Sequence, residues 1–492
     1  MSVLRNTLIH ETSADQILKI KEHTQKNKPE LLVKTGTITI ISEIPSAGYY
    51  INEPGKYILD KNISWSPPKE GFFFAAIAIQ SDDVELDFQN NTLVCDDAGG
   101  TQTSIGVIVI NGINTCSNVS IKNGIIKNMG LSGLSAISTK TLSITNMSVE
   151  GLTYEGFDLF PSGFSILNAQ LANLNDCVVK EVSTTAALAG GFMVIGSVNS
   201  ALNNCSVTNF INNDGVASGF PYFDCFGITT VNCSVVDLTT FYNASPLSKI
   251  GHTCIGFMPA DCTALIFTGC SANEIKGCCD DCHGMSLFPV NGASIINFTA
   301  SGVHDGLGAQ KTGAKATGLE VYGSNIYVTD CQVENITAIV PQDLQSTGFS
   351  ACGTNITFNG CTATKVLVYN ADGVQDTSHG YGTGFGWAPD PRPQFVHPST
   401  QITYENCVAN DCQLGFDTWN HEHSKWINPE INGNGLNHLI QPEDTKRVFS
   451  MNFGSELPNS TPSSLPQYFN IYNQIGENIY PENWEKLEVS SS

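Results

Sequence analysis

Residues 191–205 read GFMVIGSVNSALNNC, and residues 219–233 read GFPYFDCFGITTVNC. Both stretches open on Gly-Phe and close on a Cys that lies 14 residues after the Gly. The same frame holds Gly163-Phe164 with Cys177 and Gly256-Phe257 with Cys270. Gly284-Met285 follows with Phe298 in the Cys place, and Gly318-Leu319 with Cys331 and Gly348-Phe349 with Cys361 run one residue shorter. Gly384-Phe385 with Cys407 carries an insertion, and Gly415-Phe416 closes the series. A fixed core with variable insertions is the mark of a solenoid, in which each repeat buries its face on its neighbours.

Inside the repeat the apolar residues alternate, as in Gly318-Leu319-Glu320-Val321-Tyr322. After the Cys, inward positions fall at the second and fifth places: Val207 and Phe210, Val235 and Leu238, Ala272 and Ile275, Val333 and Ile336. Short period-two runs broken by Asn, Gly, Asp and Ser predict β-strands joined by turns, and helical spacing is absent from this region. Asn stands just before the Cys in Asn204-Cys205, Asn232-Cys233 and Asn406-Cys407, where its tolerance of left-handed backbone angles suits a corner. Coils in register lay like residues over like, about 4.8 Å apart. The Cys of the series then form an internal column of small apolar side chains, which is core filling and not chemistry. Parallel crossovers are right-handed almost without exception, so the expected fold is an all-β, right-handed parallel β-helix.

On this repeat form the chain resembles the pectin lyase-like β-helix superfamily over roughly residues 80 to 425. The resemblance implies the fold; one fold hosts many functions, so activity has to be read from a site. Three regions are expected: a cap with the first strands over 1–75, the β-helix over 76–425, and an irregular tail over 426–492 packing on the helix. Residues 13 to 27 read as a short amphipathic helix with Ser13 as N-cap and Ile17, Leu18 and Ile20 on the apolar side. With the strand Val33 to Ile41 it would cover the open solenoid end, whose strand edges are otherwise unpaired.

A net charge of -23 argues against nucleic acid and against anionic membranes as partners. No apolar run reaches the ~20 residues that span a bilayer, and Met1 to Gln16 lack the charged-then-apolar order of a secretory signal. Cys is odd in number, at 17, and much of it belongs to the internal column, where oxidation is not needed. An intracellular or virion-associated place follows from these readings, with no membrane insertion.

Insertions concentrate between the Cys strand and the next Gly-Phe, at Asp237 to Cys254, His304 to Thr317 and Tyr369 to Thr383. Loops of variable length on a rigid scaffold are where reactive groups collect. These loops bring His252, His304 with Asp305, Lys311, Lys315 and His379; the coil between them brings Asp280, Asp281 and His283; the Gly-Phe strands present Ser286, Glu320 and Asp417 outward. Asp280-Asp281-Cys282 and His283-Gly284 resemble fragments of the polygalacturonase pattern, which implies catalytic roles for Asp280, Asp281 and His283. In that family the two motifs lie on successive coils and an Arg-Ile-Lys motif follows; here they touch and that motif is missing. Cys278, Cys279, Cys282 and His283 also have the composition of a zinc site, but four converging ligands are not evident along a strand that points neighbours to opposite faces. Asp224 and Asp261, each five residues past a Gly, fit corner caps better than a carboxylate pair. Trp387 and Tyr222 share a strand position suited either to stacking on sugars or to the core.

The leading expectation is a carbohydrate-active protein that takes a glycan into a loop-lined groove, acting, if it is an enzyme, as a glycoside hydrolase with paired carboxylates. Asp281, Asp305 and Glu320 are the candidate carboxylates, with His283 and His379 tuning or shuttling protons. His252, Lys311, Tyr322, Trp387 and Asp417 are the candidate substrate contacts, and no cofactor or metal is expected. A non-catalytic attachment protein and a β-helix lyase, epimerase or isomerase are the alternatives.

Overall fold

The computed structural model describes residues 38–68, 73–96, 103–112, 114–156, 159–241, 252–277, 281–306, 315–339, 346–370, 372–375, 382–386, 399–417, 421–422, 425–433, 436–439 and 449–451. Among the described residues every regular element is a strand, and no helix is long and apolar enough to cross a membrane. The chain divides into two compact units, Met1–Cys262 and Thr263–Ser492. Each is a parallel β-solenoid.

The first unit shows how a coil is built. Strand Val216–Phe223 lies parallel on Leu188–Ile195, Thr229–Val231 on Ala201–Asn203, and Ser234–Thr240 on Ser206–Asn212. Three strands per turn give three parallel faces. The coils start earlier than the Gly-Phe series, since Ile38–Ile41 already pairs in parallel with Gly55–Leu59, which pairs in turn with Val84–Cys95. In the second unit Asp281–Ile296, Lys315–Thr329 and Ser346–Asn359 stack in the same manner, as do Thr299–Asp305, Gln332–Ile339 and Thr362–Tyr369. Parallel pairing continues past Gly415-Phe416, through Lys425–Ile427 to Phe449–Met451. The proposed helix at 13 to 27 lies outside the described residues, as does most of the expected tail.

The repeat residues do what their spacing requires. Phe164, Phe192, Phe220 and Phe257 stack ring on ring with centroids 4.9, 5.0 and 4.8 Å apart and planes within 5° of parallel. Phe349, Phe385 and Phe416 repeat the stack in the second unit at 4.9 and 5.0 Å. Burying each ring is worth roughly 1.5–3 kcal/mol. Cys177, Cys205 and Cys233 are all buried in the first unit, as are Cys331, Cys361 and Cys407 in the second. Their thiols point at carbonyls of the neighbouring coil, Cys205 Sγ to Leu174 O at 3.6 Å for example. All described cysteines are free, and burial pushes the Cys116 and Cys412 thiols up to about 12, out of reach of thiolate chemistry at neutral pH. The residue before the Cys is the expected left-handed corner, with φ of 53° at Asn204, 52° at Asn232 and 51° at Asn406.

Asp224 and Asp261 occupy equivalent corners with φ of 52° and 54°, matching Asn168 at 53°. Both take the left-handed angle of a corner, and Asp261 does so within strand Thr253–Thr268. Tyr222 resolves to the core: it is fully buried and its hydroxyl meets Thr230 Oγ1 at 3.1 Å. Trp387 lies outside the described residues.

The glycine of Gly-Phe is required by proximity, not by its backbone angle. A Cβ on Gly219 would stand 2.4 Å from Val235 Cγ2 and 2.7 Å from the Gly256 carbonyl oxygen. One on Gly191 would meet Val207 Cγ2 at 2.4 Å and the Gly219 oxygen at 2.6 Å. The strand bends here, and register passes from Ser218 to Phe220 without pairing the glycine. Gly219→Ala is therefore expected to lower stability by about 1–3 kcal/mol, read as a lower urea midpoint at unchanged m-value. An unchanged midpoint would mean the coils do not approach this closely.

Candidate functional site

The bend at the glycine turns the outward side chains on either side of it toward one another. A Cβ on Gly190, before the bend, would touch the Pro221 ring at 2.9 Å and Met193 Cε at 3.3 Å, both beyond it. The coil carries an elbow here on the side away from the shared core, and in the described coils the equivalent places are the residue just before the Gly and those two and four places after it.

The two units fill this elbow differently. In the first, Met193, Phe223, Ile255, Met258 and Ala260 form one buried apolar cluster with Phe160, Ala187, Leu188 and Val216, while Ser132, Ser135, Ser162, Ser165 and Ser218 take elbow places as small buried polar residues. In the second the elbow is polar. One coil places Asp281, His283, Ser286 and Phe288 along the outer face of Asp281–Ile296. The next places Lys315, Thr317, Glu320 and Tyr322, with Asp281 beside Lys315, His283 beside Thr317 and Ser286 beside Glu320. The third adds Thr347, Ser350 and Cys352 in register.

Glu320 is the centre of this group. Lys315 Nζ donates to its Oε1, Ser286 Oγ donates to Oε2 at 2.9 Å, and His283 Nδ1 stands 3.7 Å from Oε2. The Glu320 side chain is 15% exposed and that of Lys315 8%. Burial alone would push this carboxyl up, but the Lys315 charge, the facing His283 and the bonds from Lys315 and Ser286 outweigh it and hold it well below the usual carboxylate range. Glu320 is therefore ionised at any physiological pH. It can accept a hydrogen bond, take a proton or attack as a nucleophile; it cannot donate a proton.

Asp305 has another task. It is 1% exposed, and its two oxygens accept the backbone N–H groups of Gly306 at 2.8 Å and Lys315 at 3.0 Å. It stands seven residues after Phe298, as Asn212 stands seven after Cys205. Asn212 plugs the same internal corner, accepting from Ala186 N at 3.1 Å and donating to the Ala186 and Val216 carbonyls at 2.9 Å. Asp305 thus anchors the two ends of the insertion that carries Lys315, and it does not face the elbow. A loop carboxylate beside a His looks reactive in sequence, yet the period-two pattern puts Asp305 on the inner side, with Val303.

His252 belongs to the first unit, where its Nε2 meets Asp214 Oδ1 at 2.8 Å and both side chains are buried. Tyr322 lies on the outer face four places after Gly318, stacked on Phe288 with centroids 5.0 Å apart and an interplanar angle of 25°. Asp417 lies on strand Leu414–Asp417. Lys311, His379, Asp280, Cys278 and Cys279 lie outside the described residues. Cys282 Sγ points inward to Ile275 O at 3.2 Å, so it faces away from the His283 side. Among the described residues no group of three His, Cys, Asp or Glu is placed to hold a metal ion.

Three members of the cluster were not singled out as site residues in the sequence. Lys315 and Thr317 lie on one face of a strand by the simplest alternation, and the bend after Gly318 carries that face round to Glu320. Phe288 follows from the same count on the neighbouring coil.

No protein-family model matches the chain, and no curated protein matches it. Among solved structures it is similar to a tailspike protein of the E. coli bacteriophage HK620, at 10% identity and a TM-score of 0.46, covering 81% of this chain and 74% of that one. It is also similar to the A-module of a mannuronan C-5 epimerase of Azotobacter vinelandii, at 10% identity and a TM-score of 0.37, covering 82% and 91%. A third is a DFA-IIIase of Arthrobacter chlorophenolicus A6, at 10% identity and a TM-score of 0.34, covering 74% and 89%. Likeness at this level says nothing about activity.

The depressed Glu320 sets a pH signature. A carboxylate whose folded-state value is lowered contributes stability that is present above its ordinary range and is lost as pH falls through the lowered value. The stability gap between the protein and its Glu320→Gln variant should accordingly be full at neutral pH, begin to narrow as pH falls into the ordinary carboxylate range, where Glu320 of the unfolded chain takes up its proton, and go on narrowing below that range. Urea unfolding of both proteins across that range is the measurement. A gap that does not change with pH across and below that range would mean Lys315 and His283 do not hold the charge.

Proposed function

We propose that the protein is carbohydrate-active, with its glycan site in the polar elbow of the second unit, and that it hydrolyses a glycosidic bond there. The observation that supports this most is the ionised Glu320 at the meeting point of Lys315, His283 and Ser286, on the outer face of a rigid coil. Glycoside hydrolysis asks for one carboxyl group that protonates the leaving oxygen and a second that attacks or activates water. Glu320 suits the second role because it stays charged. Asp281, half-buried on the same outer face and in register with Lys315, is assigned the first. Asp305 drops out of the pair because its oxygens are occupied by backbone amides.

In the proposed reaction Asp281 gives its proton to the departing glycosidic oxygen as the bond to the anomeric carbon breaks. Glu320 takes a proton from the incoming water, or bonds the anomeric carbon before water displaces it; the anomeric configuration of the product separates the two routes. His283 and Lys315 position Glu320 and fix its charge.

One observation favours a second reading, attachment to a glycan without turnover. Both Glu320 oxygens are already engaged by neighbours within the protein, as in a self-satisfied ion pair. The test is release of reducing ends from a panel of glycans, run beside binding to the same panel. Hydrolysis predicts release that falls about a hundredfold or more in Glu320→Gln and in Asp281→Asn, with binding kept. Binding without release assigns attachment. Neither binding nor release removes the glycan reading altogether.

A further inference from the structure

One side chain holds both ends of the insertion that precedes the Glu320 strand. Strand Thr299–Asp305 ends on Asp305, and strand Lys315–Thr329 starts on Lys315. Asp305 Oδ1 accepts from Gly306 N at 2.8 Å and Oδ2 from Lys315 N at 3.0 Å. Lys315 Nζ in turn donates to Glu320 Oε1. A path of bonds therefore runs from a carboxylate inside the coil, through one lysine, to the carboxylate outside it.

Coil closure does not demand a charge at this place. The seventh position after the Cys is Asn212 or Thr240 in the first unit, and Ala338 or Val368 on the coils that follow Asp305; all four are buried. Asn212 serves as a neutral group that both accepts and donates. On the coil before Asp305 the place is Gly277, where a Cβ would stand 3.0 Å from Asp305 Oδ1. The carboxylate thus fills room that the preceding coil leaves open. Burying an anion is costly unless its oxygens are bonded, and here each oxygen meets a main-chain N–H. Asp305 differs from the neutral residues in accepting twice. An amide in its place would have to turn its NH2 toward one of the two N–H donors.

We infer that Asp305 is a positioning residue for the Glu320 site: it fixes the start of the strand from which Lys315 reaches Glu320, and so keeps the Glu320 carboxylate paired. This rests on the hydrolytic reading above and adds to it a residue that touches neither substrate nor reacting atoms. Among the described residues, Glu320 is faced by Lys315 on its own strand, by His283 and Ser286 on Asp281–Ile296, and by Ser350 in register on Ser346–Asn359, with Asp281 beside Lys315. Lys315 is the member of this group whose backbone Asp305 holds.

The test is Asp305→Asn, which keeps the shape and forfeits one N–H bond, with Gly277→Ala as a second variant that crowds Asp305 Oδ1 from the preceding coil. Glu320 has to be charged for hydrolysis, so its pairing sets the acid limb of kcat/KM. Loosening Lys315 lets burial push Glu320 up, and the limb moves to higher pH by about one unit or more in either variant. At neutral pH kcat falls about tenfold through misplacement, with KM within a few-fold of the parent. Losing the Asp305 charge without moving Lys315 would shift the limb the other way in Asp305→Asn, because a nearby anion raises a carboxyl. A readout free of activity is the urea midpoint: the neutral-pH gap between parent and Glu320→Gln shrinks to about half or less when both carry Asp305→Asn. A limb that stays in place or moves to lower pH, or an undiminished gap, overturns the inference and leaves the hydrolytic reading standing. If the parent releases no reducing ends from any glycan, the hydrolytic reading fails, and the urea gap alone decides whether Asp305 places Lys315. If neither variant folds, Asp305 is a folding residue and the inference is overturned.

Discussion

The structure depends on one close approach, that of each Gly-Phe glycine to its surroundings. A methyl group there would stand about as far from a valine Cγ as two bonded carbons separated by one atom, 2.4 Å at both Gly191 and Gly219. No side chain fits, so the strand can bend only at that residue. The bend puts the phenylalanine into the core, where it stacks on the ring of the next coil within each unit. It also folds the outer face of the strand into an elbow. Core regularity and the external site are two consequences of the same missing Cβ.

A solenoid repeats its backbone but not its surface. The elbow backbone of the first unit carries Met193, Ile255 and Met258, while that of the second carries His283, Thr317 and Glu320. The scaffold is indifferent to this exchange because the residues point away from the shared core. What changes is the electrostatic cost. A buried Glu is tolerated only beside compensating charge, and Lys315 on the same coil, with His283 and Ser286 on its neighbour, supplies that compensation. Lys315 itself is delivered by an insertion whose ends are pinned by Asp305. An internal turn plug thus determines where an external cation stands.

Much of the architecture was legible in the sequence because its signals are local and repeated. The Gly-to-Cys distance, the second and fifth apolar places after the Cys, and Asn at the corner each report a single backbone geometry, and all three recur in Phe220, Val235 and Asn232. The site was legible only in part. Glu320 and Ser286 were recognisable as outward and equivalent because they follow a Gly by the same count. Asp305 was misread as reactive: a loop carboxylate beside His304 resembles a catalytic group, and only the three-dimensional corner shows its oxygens taken by Gly306 and Lys315. The buried contact of His252 with Asp214 was likewise not foreseen. Long-range pairing of this kind leaves no trace in spacing, since Asp214 and His252 are separated by an insertion of free length. Tyr222 was ambiguous for a simpler reason, because an aromatic three places after the Gly is inward and that parity is set by the bend.

The most direct test of the account is a crystal structure with sulfur positions located by their anomalous signal. Stacking in register predicts that the sulfurs of Cys177, Cys205 and Cys233 fall on one line, about 4.8 Å apart at each step. It predicts equally that Cys331, Cys361 and Cys407 form such a line in the second unit. Sulfurs scattered at unrelated distances would contradict the stacking, and with it the elbow that brings Glu320, Lys315 and His283 together.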